Sequence, residues 1–173
     1  KLAQIREILI SESTWEEMTC LFAPSLAKNS SLKLIELLIY NYSIKTTSEN
    51  QNIIASLPWK RCYTTNYDRC FEIAAESSGN KFETIDLEHK TKEYYKRKNL
   101  CIHLNGSINN ISTETLDDSF KLSDSSYSSP DSFTDSEWFY YFKRDLDRCG
   151  AIVFIGYSMY DIEIKKSFLP YLN

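Results

Sequence analysis

The chain has 173 residues, 42% of them hydrophobic, which suffices for one domain with its own core and excludes general disorder. Its formal net charge of −4 offers nucleic acid no overall basic field, so no direct nucleic-acid partner is expected. Five cysteines are scattered at Cys20, Cys62, Cys70, Cys101 and Cys149 without a CxxC pair, and there are two histidines. A zinc site is therefore not expected, and the thiols read as reduced and buried, in a reducing compartment. No apolar run approaches a membrane span, and the charged start KLAQIREILISES is unlike a signal peptide. A cytoplasmic protein without a membrane partner is expected.

Residues 1–58 read as helical. Leu2, Ile5, Ile8 and Leu9 recur at helical spacing, Leu32, Leu34, Ile35, Leu37, Leu38 and Ile39 form a denser run, and ENQNIIASL ends at Pro58. The pattern changes over residues 59–173. WKRCY, KFETID, NLCIHL and AIVFIG carry strand signals, with helical segments at about 68–78, 88–97 and 135–149 between most of them. The last helix opens on a capping box, Thr134-x-x-Glu137. Strands alternating with helices predict an α/β domain whose mostly parallel sheet is covered by helices on both faces. AIVFIG, apolar throughout, is expected to be a central strand buried on both sides.

Residues 107–136 break this pattern. They are rich in Ser, Asp and Asn and too long for a simple connection, which predicts an irregular functional excursion near the ligand end. The basic stretch Lys90–Lys98 reads as a solvated helix face, and His89 beside it as an exposed histidine. The aromatic cluster Trp138–Phe142 reads as core and subunit contact.

The strand in WKRCY stops at Thr64, and DRCFEIAAESS starts a helix at Asp68. Asn66 and Asp68 therefore stand on a strand-to-helix turn, where a parallel sheet places its ligand. Asp68 alone is equally well explained as the helix N-cap, whereas Asn66 has no such folding role. A second loop, Gly156-Tyr157-Ser158, follows the AIVFIG run. Among Gly79, Gly106, Gly150 and Gly156 there is no GxG pair, so the glycine-rich strand-turn unit that opens a dinucleotide fold is missing. The chain starts in one helical pattern and stops at the end of another, as a piece of a longer protein would.

Three blocks stand in a fixed order: Thr64-Thr65-Asn66-Tyr67-Asp68, then Ile102-His103-Leu104-Asn105-Gly106-Ser107, then Phe154-Ile155-Gly156-Tyr157-Ser158 with Asp161. Together they resemble the sirtuin-like NAD-hydrolysing domain of bacterial anti-phage defence proteins, over about residues 55–168. The resemblance implies a Rossmann-like sheet, with NAD as substrate and hydrolysis to nicotinamide and ADP-ribose. Thr65, Asn66 and Asp68 would face the nicotinamide ribose, with Asn66 orienting the attacking water and His103 as general base. Asn105 and Gly106 belong to the same end of the ligand. Gly156, Tyr157, Ser158 and Asp161 would approach the phosphates or the adenosine ribose. The resemblance also implies a homo-oligomer, and a helicase-type ATPase or sensor module as partner.

The residue types suit that chemistry. An imidazole titrating near neutrality can transfer a proton, and an amide can donate to and accept from one water at once. Many members put His directly before the glycine of the second block, where this chain has Asn105. His103 lies two residues earlier, on the same face of an extended strand and displaced by roughly 6–7 Å, so the spacing leaves open which of the two acts. The same exchange would suit a catalytically degenerate module that binds NAD or a related nucleotide as a sensor or assembly platform. Protein deacylation is the weaker reading, because the four zinc-ligand cysteines common in that branch are missing.

Overall fold

The computed structural model describes residues 28–118, 120, 133–157 and 162–171. The chain divides into two compact units, one spanning residues 27–133 and the other containing the described residues from 134 onward. The helix expected over residues 2–9 and Cys20 lie outside the described residues.

In the first unit, α1 (Lys28–Tyr42) buries Ile35 and Leu38, three residues apart, while Leu32, Leu37 and Ile39 stay exposed. Only one stripe of this apolar helix reaches the core. Helix α2 (Glu49–Ser56) opens on a capping box. The Ser48 hydroxyl accepts from the Gln51 amide at 3.3 Å, and the Gln51 side chain accepts from the Ser48 amide at 2.7 Å. It stops at Leu57, which is extended ahead of Pro58. The Trp59 indole N–H then donates to the Ile54 carbonyl at 2.7 Å and ties the end of α2 to the start of the sheet.

Three strands follow as predicted: β1 (Arg61–Thr64), β2 (Glu83–Asp86) and β3 (Leu100–His103). They are parallel, in the order β1-β3-β2. Central β3 is buried along its whole length, as a strand flanked on both edges and faces should be. Its register sets Thr64 and Asp86 on either side of His103. All three strands thus end at one level, and the loops that follow them gather at one edge of the sheet.

Helix α3 (Cys70–Ser77) connects β1 to β2 and packs Ala74 and Ala75 against Ala55, Phe82 and Cys101. These small side chains let the helix lie close to the sheet. Gly79, at φ 82°, ends it: the Gly79 amide bonds the Glu76 carbonyl and the Asn80 amide bonds that of Ala75. Helix α4 (Thr91–Tyr94) is a single turn, shorter than the span expected. Arg97 leaves it to pair with Glu83 through two bonds of 2.9 and 3.0 Å, and its guanidinium lies over Tyr94. Within the excursion, Ile108–Asn110 form a 3-10 turn and α5 spans Thr115–Asp118. Ile108, Leu116, Phe120 and Phe133 are buried, while residues 121–132 lie outside the described set.

In the second unit, α6 (Glu137–Arg148) is capped by Ser136, whose hydroxyl accepts from the Phe139 amide at 3.3 Å. The cap expected at Thr134 is displaced because Phe133–Asp135 form a 3-10 turn, so helical geometry begins only after Ser136. Trp138, Phe142 and Leu146 are buried at four-residue spacing, whereas Tyr140 is exposed. Phe168 of α7 (Ile162–Phe168) packs edge-on against Phe142 at 5.5 Å and Phe154 at 4.8 Å.

Two expectations fail in this unit. AIVFIG is no strand: residues 151–155 form no ladder among the described residues, and all are exposed, Val153 at 55%. An apolar run becomes a strand only if neighbours satisfy its backbone. Here Phe154 makes ring contacts while the flanking side chains face solvent. Cys149, expected to be buried, is likewise exposed. We expect Ile102→Ala, which empties a fully buried site in β3, to lower stability by about 2–5 kcal/mol in chemical denaturation. Val153→Ser should change it by no more than about 0.5 kcal/mol.

Candidate functional site

The segment between β1 and α3 is held by its carbonyls. The Thr64 carbonyl accepts from the Leu104 amide at 2.8 Å, and that of Thr65 from the Asn105 side-chain amide at 3.2 Å. The Asn66 carbonyl accepts from His103 Nδ1 at 2.8 Å, and that of Tyr67 from the Ile108 amide at 2.8 Å. Four consecutive carbonyls are thus pinned to the segment 103–108. The Tyr67 ring adds an apolar anchor, stacked on Phe120 at 5.3 Å and edge-on to Tyr42 at 5.5 Å. With the backbone so fixed, the Asn66 side chain is left exposed at the C-terminal edge of the sheet. Gly106, at φ 94°, turns the chain after β3 where a side chain would be strained.

Beneath the loop lies a buried polar network. His103 is fully enclosed: while Nδ1 holds the Asn66 carbonyl, Nε2 lies 2.9 Å from Glu72 Oε1. Both ring nitrogens thus face oxygen atoms, Nδ1 a backbone carbonyl and Nε2 a carboxylate. Thr84 donates to the same Glu72 oxygen at 2.7 Å, and Arg69 Nε donates to the Thr84 hydroxyl at 3.2 Å. Burial pushes the Glu72 carboxyl up, but the bond to and charge of His103, with the Thr84 hydroxyl, outweigh it and leave the group below the usual range. Asp68 goes the other way. Burial raises its carboxyl and Glu72 adds to that, against the Cys70 amide and the charge of His103, which lower it. Burial and the same two carboxylates push the Cys70 thiol up to about 11, so it is no nucleophile at neutral pH.

The structure brings Thr65, Asn66, Asp68, His103, Asn105 and Gly106 together, as the strand ends predict. The N-cap foreseen at Asp68 falls instead on Arg69, which has no side-chain capping bond; Asp68, one residue earlier, accepts from the Cys70 amide at 2.8 Å. Gly156 and Tyr157 belong to the other unit, and Ser158 and Asp161 lie outside the described residues. Both ring nitrogens of His103, expected as the general base, are engaged in this arrangement, Nδ1 with the Asn66 carbonyl and Nε2 with Glu72. The second histidine is also more engaged than expected: His89 Nδ1 lies 2.6 Å from Asp86 Oδ1 at the end of β2. Sequence reasoning missed Glu72 and Thr84. The signal for Glu72 was an acidic residue three before Ala75, on the face of α3 that the apolar residues mark for burial.

A family model described as SIR2-like domain matches residues 60–168, more than half of the chain. The chain belongs to the SIR2-like domain family. The match begins just before β1 and covers all three sequence blocks, so the pinned loop and the second block both lie within the SIR2-like region. Membership ties the chain to NAD-related chemistry, and the parallel sheet with its helices is the Rossmann-like arrangement such a domain calls for. No curated protein and no solved structure gave a match. Among the described residues, no helix of the SIR2-like domain is long and apolar enough to cross a membrane.

The two carboxylates should affect stability with opposite signs. Glu72 is lowered in the fold, so its contribution is present above the ordinary carboxylate range and lost as pH falls through its folded value. Asp68 is raised, so its ionised form costs stability at neutral pH, and that cost fades as pH falls. Glu72→Ala, which leaves His103 buried without its charge partner, should cost about 3–5 kcal/mol at pH 7, and less in acid. Asp68→Asn keeps an acceptor for the Cys70 amide and should leave stability at pH 7 unchanged or higher. Thermal melts across pH check both signs.

Proposed function

We propose that this domain hydrolyses NAD to nicotinamide and ADP-ribose. The observation that carries the reading is the loop itself: with four carbonyls tied down, the exposed Asn66 amide is held out at the sheet edge within a SIR2-like domain. Nicotinamide is already a good cationic leaving group, so the protein's tasks are to hold the ribose, stabilise positive charge at its anomeric carbon, and place a water. Asn66 is assigned to that water, donating to and accepting from it. Asp68 lies two residues on with a raised carboxyl, suited to bonding ribose hydroxyls and favouring the developing cation. The net reaction consumes one water and releases one proton. Gly156, Tyr157, Ser158 and Asp161 are assigned to the phosphates or the adenosine ribose, following the third block.

His103 enters this reading as a positioning residue that fixes the Asn66 peptide, in place of the general base expected from its type. NAD depletion in anti-phage defence, by an oligomer working beside a helicase-type ATPase or sensor module, is the setting that the three blocks favour. A second reading, a module that binds NAD without cleaving it, is favoured by Asn105. Its side-chain amide donates to the Thr65 carbonyl, so this position serves the loop's scaffold.

Nicotinamide release by the intact protein tests the choice. Asn66→Ala should abolish release while leaving the melting temperature essentially unchanged, since the side chain is exposed. His103→Ala should lower turnover without changing the shape of its pH profile. A loss of about 10²–10⁴-fold together with a lost titration limb would restore the general base. Tight NAD binding with no release under any activating condition would leave the binding module.

A further inference from the structure

We propose that Glu72, Cys101 and His103 form a buried site for one borderline-soft divalent cation, zinc by its donor set, directly beneath the Asn66 loop. Cys101 and His103 are two residues apart on β3 and share a face, and α3 places Glu72 over them. One ligand atom from each lies within 4.8 Å of the other two. His103 Nε2 is 2.9 Å from Glu72 Oε1 and 3.9 Å from Cys101 Sγ. A tetrahedral zinc holds such donors roughly 3.3–3.7 Å apart, edge to edge, so the three side chains need only small adjustments. Sulfur, imidazole and carboxylate together select zinc over the hard cations.

A second observation points to a missing ligand. Glu72 is 3% exposed, yet its Oε2 has no hydrogen-bond partner among the described residues. The outer contacts are those of a metal site already in place: His103 Nδ1 donates to a backbone carbonyl, and Thr84 donates to the ligating carboxylate. Cys62 is the register partner of Cys101 on the neighbouring strand, so the two thiols stand side by side on one face of the sheet. Charge also balances. A dication with one carboxylate, one thiolate and a neutral imidazole sums to zero, which suits a buried site. Binding therefore displaces two protons to solvent, one from His103 Nε2 and one from Cys101 Sγ, with no change of oxidation state. The bound ion would fix the His103 ring and, through Nδ1, the Asn66 peptide.

The test is to titrate the chelator-treated 173-residue chain with Co²⁺ and then with Zn²⁺. We expect one equivalent of cobalt to give a thiolate-to-cobalt charge-transfer band with tetrahedral visible bands, bleached by zinc. Calorimetry in buffers of different ionisation heat should show about two protons released. Cys101→Ser should remove the band, Thr84→Val should weaken binding by about 10–100-fold, and Cys149→Ser should change nothing. No thiolate band in the wild-type chain, or a band that survives in Cys101→Ser, overturns the proposal. Should Cys101→Ser fail to fold, a chain with Cys20, Cys62, Cys70 and Cys149 all changed to Ser decides: the band persists there if Cys101 is the ligand and disappears if one of those thiols carried it.

Discussion

Everything at the candidate site depends on the hydrogen bonds that join the carbonyls of residues 64–67 to residues 103–108. Two come from backbone amides and two from the side chains of His103 and Asn105. A loop that spent its acceptors on water would sample many shapes. This one is anchored at every residue from Thr64 to Tyr67, so the backbone entropy of ordering the turn that carries Asn66 is already lost in the folded protein.

The polar side chains under the loop are the less expected half of the arrangement. A buried carboxylate and a buried imidazole cost desolvation energy that a pair of apolar residues would avoid. They sit where β1, β3 and β2 end together, with Thr84 and Arg69 continuing the chain of bonds toward β2. The network thus connects the loop after β1 to the neighbouring strands through side chains as well as through the ladder. A purely hydrophobic filling would support the sheet equally well, but it would offer no donor to the Asn66 carbonyl.

Much of the fold was legible because local signals agreed with it. KRCYT, KFETID and NLCIHL alternate with helical segments, and each of the three forms a strand of the parallel sheet. The turn carrying Asn66 and Asp68 was legible for the same reason, since it lies at a strand end. AIVFIG misled because apolar composition measures a wish to be buried and says nothing about a ladder partner. The contacts of His103 were not legible in the sequence. Its residue type suggests proton transfer, whereas its occupied nitrogens are visible only once Glu72 and the Asn66 carbonyl are placed. The grouping of Glu72, Cys101 and His103 has no sequence spacing to advertise it, because two of its members share a strand face and the third arrives from a helix some thirty residues earlier.

The partners that shape the loop lie far from it along the chain: His103 is 37 residues from Asn66, and Asn105 is 40 residues from Thr65. Parallel pairing of β1 with β3 must wait until α3, β2 and α4 have been made, because all of them lie on the crossover between the two strands. Contacts of this separation form late, after the closure entropy of the intervening chain has been met. During synthesis, a ribosome-bound chain that has emerged only as far as β2 carries Asn66 on a segment with no fixed shape. The Asn66 loop is therefore set only when β3 docks between its neighbours, so the nascent protein completes its sheet before this loop takes its shape.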